Sequence, residues 1–354
     1  MKNKAILLSL LFCTILTGCY PTGQKVEQAE TSSIIYDEDL NASPRENLKY
    51  YFTVPEEYLQ TYSAKKAQTI IYESDYITPL FPGCTEDLEL EITPETADSP
   101  DLEHYYLYQK ESASFVGINA GTVSLCTPEY NDGCYVMFDL KGDFLRDEKT
   151  REVVPNDKLK AFSSDEAIKK LEEMIDYLGV EVHPEPIILA VTNDDTDYYN
   201  NLWYNDASVD EEAYVIKYRM ALDGLPLPDY SRIPLVHEDW GIPFSRIESV
   251  FTEDGMIYFD CREAMEITER GEEIQICTPE FAIQQVKNYV EAMTVSCSVY
   301  GCELMVLPIY DTETDDKYDY KLKPVWMFVW DKTKKEDYPD CDAIYVDAAT
   351  GEIL

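Results

Sequence analysis

Long apolar runs and histidines are both scarce in this chain of 354 residues. The longest apolar run, residues 5–16, falls short of the roughly 20 residues that a permanent membrane-spanning helix needs, and no later stretch is long and apolar enough. The three histidines, His104, His183 and His237, have no zinc-ligand spacing. Neither a glycine-rich phosphate loop nor a Gly-x-Ser-x-Gly nucleophile motif occurs. These absences argue against metal catalysis, nucleotide binding and serine-hydrolase chemistry.

Basic residues are also few, with 29 Lys and Arg against 69 Asp and Glu, and the formal net charge is −40. Such a field repels nucleic acid and anionic lipid, so we expect no nucleic-acid partner. The acidity also keeps an exported surface soluble. Among 69 carboxylates chance pairs are unavoidable, so an envelope hydrolase with acidic catalysts stays open as an alternative to a non-catalytic protein.

The N-terminal segment has the parts of a secretory signal, because lysines at positions 2 and 4 precede the apolar run. The run ends in four residues that resemble the bacterial lipobox, namely Leu16, Thr17, Gly18 and Cys19. The resemblance implies that Cys19 is diacylated on sulfur and becomes the first residue of the mature chain. We therefore expect a signal peptide over residues 1–18, a lipidated N-terminus and flexible linker over 19–48, and a protein held on the extracytoplasmic face of the cell membrane.

Residues 49–160 are predicted to be rich in β-strands. Residues 87–93 alternate between acidic and apolar side chains, as in a strand with one exposed face. Two further predicted strands flank the turn-rich residues 127–133, which indicates a hairpin with Cys126 and Cys134 at its ends.

The later part of the chain contains two clear helix signals. Ser163 has capping-box spacing to Glu166, and Gly179 stands where a C-terminal cap belongs. Thr278 and Pro279 are typical of a second helix start. Each predicted helix is followed by predicted strands. The pattern predicts an α+β fold in which the β-rich part is followed by two helix-plus-antiparallel-sheet modules, at residues 161–272 and 273–354.

The C-terminal run D-A-I-Y-V-D-A-A-T-G-E-I, residues 342–353, resembles the closing hairpin of PepSY-like domains. Gly351 would supply the positive φ that its turn needs. Residues 218–226 resemble a strand and turn of YycI-type regulators, and the whole chain resembles uncharacterised clostridial lipoproteins. The resemblance implies PepSY-like or cystatin-like modules and an extracytoplasmic binding or regulatory protein that acts on an envelope ligand or protein partner, not an enzyme.

Two acidic segments carry enough oxygens for calcium, although neither has the glycine and terminal glutamate of an EF-hand loop. Solvated acidic loops are the alternative interpretation. The calcium candidates are Asp194, Asp195, Asp197, Asp311, Glu313 and Asp315. The first segment also contains aromatic residues that suit a ligand-binding platform or an anchor to the sheet, namely Tyr198, Tyr199, Trp203 and Tyr204. No other cofactor is expected.

Eight cysteines remain once Cys13 and Cys19 are set aside, and an even number in an exported chain is compatible with disulfides. Cys126 and Cys134 close the predicted hairpin, and a turn over residues 298–301 would bring Cys297 close to Cys302. We therefore predict these two bridges. The alternative is that all eight cysteines are buried thiols.

Overall fold

A computed structural model describes residues 38–81, 89–94, 104–109, 115–127, 159, 162–192, 212–228, 245–293, 295–314, 317–332 and 341–354. These residues form two large sheets, a two-stranded ribbon and a few helices. The strands in chain order are β1 Leu48–Tyr51, β2 Thr61–Thr69, β3 Glu89–Ile92, β4 Tyr106–Gln109, β5 Phe115–Asn119, β6 Thr122–Cys126, β7 Ile187–Val191, β8 Ala213–Arg219, β9 Ala221–Leu222, β10 Leu225–Pro226, β11 Arg246–Thr252, β12 Gly255–Arg262, β13 Met265–Gln275, β14 Cys297–Tyr310, β15 Asp319–Asp331 and β16 Cys341–Asp347.

The larger sheet has eight strands in the order β3-β4-β5-β6-β12-β11-β8-β7, and all its pairings are antiparallel. Strands β9 and β10 form the separate ribbon. Strand β3 lies within the strand that the acidic and apolar alternation predicts at residues 87–93.

The second sheet has six strands in the order β1-β14-β15-β2-β13, and β16 pairs with the C-terminal half of β15. Strand β1 runs parallel to β14, while the other pairings are antiparallel. The β14–β15 register shifts between Tyr300 and Glu303, where Gly301 has a φ of 76°. This bulge lets one long strand bend within the sheet.

Both predicted helices are confirmed. Helix α3 covers Ser164–Leu178; the Ser163 side chain accepts a hydrogen bond from the Asp165 N–H, and Gly179 ends the helix in the left-handed conformation. Helix α4 covers Pro279–Ala292, and the Thr278 side chain caps its first turn by accepting from the Phe281 N–H. Two single-turn helices occur earlier, α1 at Glu38–Asn41 and α2 at Ile77–Leu80. No described helix is long and apolar enough to cross a membrane.

One apolar core joins the two sheets and the two long helices. It includes Leu171 of α3, Val286 of α4, Phe259 of β12, and Trp326 and Phe328 of β15, each fully buried. Burial of a large apolar side chain stabilises a fold by roughly 1.5 to 3 kcal/mol. The core therefore holds elements from distant parts of the chain in one packed unit.

The predicted fold class is wrong, because the described residues are mostly β and do not divide into two helix-plus-sheet modules. Strand β6, from the region predicted as an N-terminal β-rich part, pairs with β12 of the eight-stranded sheet. Strand β2, from the same region, lies between β15 and β13 in the six-stranded sheet. Hydrogen-bonded ladders thus cross both expected module limits. The residue boundaries of the domains remain a prediction.

The C-terminal hairpin forms where the sequence places it. Val346 and Ile353 face each other in an antiparallel bridge, and Gly351 between them has a φ of 78°. The expected positive φ at Gly351 is confirmed.

Candidate functional site

Three arginines lie side by side on neighbouring strands of the eight-stranded sheet. Arg246 of β11 is in register with Arg262 of β12 on one side and with Arg219 of β8 on the other. Like charges directly opposite each other destabilise a pair of strands. We call Arg219, Arg246 and Arg262 the arginine row. The carboxylates that neutralise its positive charges decide what the site can bind.

The arginine row lies on the sheet face that points away from the shared core. Side chains of a strand alternate between its two faces. Ile247 and Cys261, which neighbour the arginines in sequence, belong to the core, as does Tyr218. The arginines and the residues two positions along each strand therefore share the opposite face.

Asp260 compensates two of the arginines. Its Oδ2 lies 2.6 Å from Arg262 Nε and 3.2 Å from Arg246 Nη2, and its Oδ1 accepts a hydrogen bond of 2.9 Å from Ser124 Oγ. Asp260 is only 1% exposed to solvent. A buried carboxylate is stable only when it is paired and hydrogen-bonded. Here three side chains, each from a different strand, bind the Asp260 carboxylate.

Two glutamates compensate the remaining cations. Glu248 Oε2 lies 2.9 Å from Lys217 Nζ and 3.9 Å from Arg246 Nη1. Glu303 comes from β14 in the other sheet and binds Arg219 through two contacts, of 2.5 and 3.2 Å. We call the whole set the charge ladder; its members are Ser124, Lys217, Arg219, Arg246, Glu248, Asp260, Arg262 and Glu303.

Among the described residues, the charge ladder holds four cations and three carboxylates, and a further carboxyl, that of Glu263, interacts electrostatically with Arg262. Its inner members are buried, with Arg219 and Glu248 below one tenth exposed. At the other end, the side chain of Arg262 is 51% exposed. The ladder is therefore accessible at Arg262, where a guanidinium offers donors in the planar arrangement that suits carboxylate and phosphate.

Glu263 follows Arg262 in an unusual backbone conformation. Its φ of 54° lies in the left-handed region, which is uncommon for a residue with a side chain. Ser245 Oγ donates a 2.9 Å hydrogen bond to its carbonyl oxygen, and Ala264 N donates one of 2.9 Å to Gly121 O. Burial raises the pKa of the Glu263 carboxyl, and the positive charge of Arg262 opposes that rise. Strained residues and shifted carboxyls concentrate at functional sites.

The carboxylates of the acidic segment at Asp311 form ion pairs with lysines. Asp311 Oδ2 lies 3.0 Å from Lys66 Nζ, and Asp311 Oδ1 lies 3.0 Å from Lys321 Nζ. Asp311 Oδ1 also accepts a 3.1 Å hydrogen bond from the Glu313 N–H. Hydrogen bonds from the two lysines lower the pKa of Asp311 to about 2. Glu313 also contacts Lys321, at 3.1 Å. Two ammonium groups thus occupy the oxygens that a calcium ion would need.

Within the described ranges no group of three or more His, Cys, Asp and Glu side chains could hold a metal ion. The remaining calcium candidates, Asp194, Asp195, Asp197 and Asp315, lie outside those ranges, and there the calcium hypothesis stays a prediction. The aromatic candidates and the lipobox also lie outside them, namely Tyr198, Tyr199, Trp203, Tyr204, Leu16, Thr17, Gly18 and Cys19.

Five cysteines are free thiols in this structure, namely Cys126, Cys261, Cys277, Cys297 and Cys302. Cys297 and Cys302 lie in one strand, β14, and the predicted turn over residues 298–301 is a bulge in that strand. A strand advances about 3.3 Å per residue, so these two Cα atoms are farther apart than the 4.4 to 6.8 Å of a disulfide. Neither forms a bridge in this structure. Cys126 forms none either, and Cys134 lies outside the described residues, so that pairing remains a prediction.

Desolvation makes these buried and partly buried thiols poor nucleophiles. It raises the pKa of Cys126 to about 12 and also raises the pKa values of Cys277, Cys297 and Cys302. The thiolate is the reactive form of cysteine, so these groups suit packing and not catalysis.

The sequence contains no local signal for the charge ladder. Ser124 and Asp260 are 136 positions apart, and Arg219 and Glu303 are 84 apart. Alternating apolar residues indicate which face of a strand is buried, but not which strands are neighbours. Strand order and register bring these charges together.

Comparisons with known proteins show the fold and no function. No protein-family model matches the chain, and no curated protein matches it. Among solved structures, the chain is similar to an uncharacterised protein from Eubacterium rectale, with a TM-score of 0.64 and 12% sequence identity over 88% of this chain and 92% of that one. At this identity the likeness concerns the fold alone.

Proposed function

We propose that this protein is a lipid-anchored binding protein of the extracytoplasmic face of the cell membrane, which acts on an envelope ligand or protein partner without catalysis. The observation that carries the proposal is the Leu-Thr-Gly-Cys run at residues 16–19, after a charged and apolar leader. A diacylated Cys19 would hold the β-sheet domain at the membrane, because two acyl chains anchor durably.

The chemistry of the described side chains favours binding over catalysis. A general acid or base works best with a pKa near the operating pH, and a nucleophilic cysteine needs a lowered pKa. Here the pKa of Asp311 is lowered and those of the buried thiols are raised. Asp260 and Glu248 are held by cations in the charge ladder. These groups are typical of structural ion pairs and packed cores.

The second candidate is an envelope hydrolase, and Glu263 is the residue that favours it. Burial raises the pKa of this carboxyl, as it does for general acids in glycoside hydrolysis. Its strained backbone is a further feature of catalytic sites. A purified Glu263→Gln variant tests this candidate directly.

The anchor is tested by Cys19→Ala, with Cys13→Ala as the matched control, because Cys13 lies in the part that the signal peptidase would remove. We expect Cys19→Ala to retain its signal peptide or to be released into the medium, and to lose labelling by a palmitate analogue. Cys13→Ala should fractionate with membranes like the parent. A Cys19→Ala protein that is labelled and fractionates like the parent would contradict the lipoprotein proposal.

Binding and hydrolysis are separated by incubating the purified mature protein with isolated cell envelopes. We expect saturable co-sedimentation and no release of soluble fragments. Release of fragments that disappears in Glu263→Gln would support the hydrolase instead. Absence of any saturable co-sedimentation would contradict an envelope-binding function.

A further inference from the structure

Building on the proposed binding function, we infer that the exposed end of the charge ladder is an oxyanion site, at which Arg262, supported by Arg246, binds a carboxylate or phosphate group of the ligand. The site is formed by β11 and β12 on the face of the eight-stranded sheet that points away from the core.

The arginine row is the first observation behind this inference. Placing arginines in register on three adjacent strands is unfavourable for the sheet itself, because like charges then face each other. Alternating charges at those positions would stabilise the sheet better. Departures from a local stability rule are expected at functional sites, and concentrated guanidinium groups are what recognition of an anion requires.

The charge balance is the second observation. Among the described residues, four of the chain's 29 basic residues belong to the ladder, against three of its 69 acidic residues, or four with the neighbouring Glu263. Elsewhere the strong excess of acidic residues repels an approaching anion, and at physiological salt that repulsion extends over about 8 Å. The concentration of guanidinium groups, accessible at Arg262, therefore marks where an anion can bind.

The geometry of Arg262 is the third observation. Asp260 binds its Nε at 2.6 Å and is itself held by Ser124 and Arg246, which fixes the direction of the arginine side chain. The contact with Asp260 is at Nε, and no other described residue forms a hydrogen bond or ion pair with this guanidinium. A planar guanidinium fixed in this way can donate two parallel hydrogen bonds to one carboxylate or phosphate.

The test is calorimetric titration of the full mature protein with inorganic phosphate and, separately, with succinate, at an ionic strength held constant with NaCl. Arg262→Gln removes the proposed donor. Arg270→Gln is the matched control, because Arg270 is 53% exposed and binds one carboxylate, Asp223, but belongs to another sheet. We expect saturable binding of at least one anion, weakened about tenfold or more by Arg262→Gln and unchanged by Arg270→Gln.

A third variant separates charge from geometry and guards against misfolding of the first. Arg262→Lys keeps the positive charge but has no planar fork, so we expect binding weaker than in the parent and stronger than in Arg262→Gln. Binding of phosphate alone identifies a phosphate ligand, and binding of succinate alone identifies a carboxylate.

Absence of saturable binding with both anions, or equal binding in the Arg262 and Arg270 variants, would overturn the oxyanion site. That failure would leave the Cys19 anchor and the co-sedimentation with envelopes unaffected. Loss of membrane anchoring or of envelope binding, with anion titration intact, would overturn the proposed function instead.

Discussion

Single residues determine the conformation of the C-terminal turn. Asp347 Oδ1 accepts hydrogen bonds from Ala349 N and Thr350 N, at 2.9 and 3.1 Å, and its Oδ2 lies 3.1 Å from Lys323 Nζ. Gly351 N donates a 2.7 Å hydrogen bond to the Asp347 carbonyl oxygen. This network requires the positive φ that Gly351 adopts readily.

We predict that Gly351→Val lowers the free energy of unfolding by about 1 to 3 kcal/mol or more, as for strained backbone sites. A Cβ atom at this position would lie 2.2 Å from Phe281 Cε1, so strain and a clash combine. Gly179→Val is the matched control, because its φ of 70° is similar and no atom lies within 4 Å of its Cβ position. Urea unfolding measures both; equal losses would show that contact with Phe281 contributes nothing.

The ion pairs of Asp311 predict how the stability of the protein depends on pH. The pKa of Asp311 is lowered in the folded protein from 3.8 to about 2, so its ion pairs stabilise the fold above about pH 4. This stabilisation is lost as the pH falls from about 4 to about 2, because the carboxylate must then be protonated. We expect Asp311→Asn to be less stable than the parent at pH 7 and to differ less at pH 2.5. A stability difference that does not change with pH in urea titrations would rule out this role.

At the scale of elements, the contact between Arg219 and Glu303 links the two sheets. Arg219 ends β8 of the eight-stranded sheet, and Glu303 follows the bulge of β14 in the six-stranded sheet. Their side chains are 8% and 18% exposed, so water screens this ion pair little. Strand β10 of the ribbon also contacts β14.

We predict that Glu303→Gln destabilises the protein by about 3 kcal/mol, because it removes a carboxylate that binds the buried Arg219. Glu269→Gln serves as the control: Glu269 pairs with Lys65 at 2.9 Å, but both side chains are about half exposed. Exposed pairs contribute little, so the control should unfold at nearly the parent urea concentration. Similar effects of the two substitutions would show that the link between the sheets is not important for stability.

At the scale of the whole molecule, net charge dominates the electrostatics. A formal charge of −40 makes the folded chain repel itself, because folding brings the charges closer together. Local ion pairs such as Lys65 with Glu269 oppose this effect, but acidic residues exceed basic ones more than twofold.

We predict that the urea midpoint at pH 7 rises when NaCl increases from about 10 to about 150 mM, because the screening length falls from about 30 to about 8 Å. At pH 4.2, near the sequence pI, the net charge is close to zero, and the same salt change should have a much smaller effect. A midpoint that falls with salt at pH 7 would mean that ion pairs outweigh the repulsion.

The sequence by itself determined the features that depend on neighbours in the chain. Both long helices and their caps at Ser163, Gly179 and Thr278 follow from interactions over about four residues, and the positive φ of Gly351 follows from its turn. The tertiary structure alone decided the fold class, the charge ladder and the separation of Cys297 from Cys302. Each of these depends on strand order and register, which pair segments such as β2 and β13 about 200 residues apart. Local patterns do not encode such pairings, because any strand with a suitable apolar face can in principle pair with another.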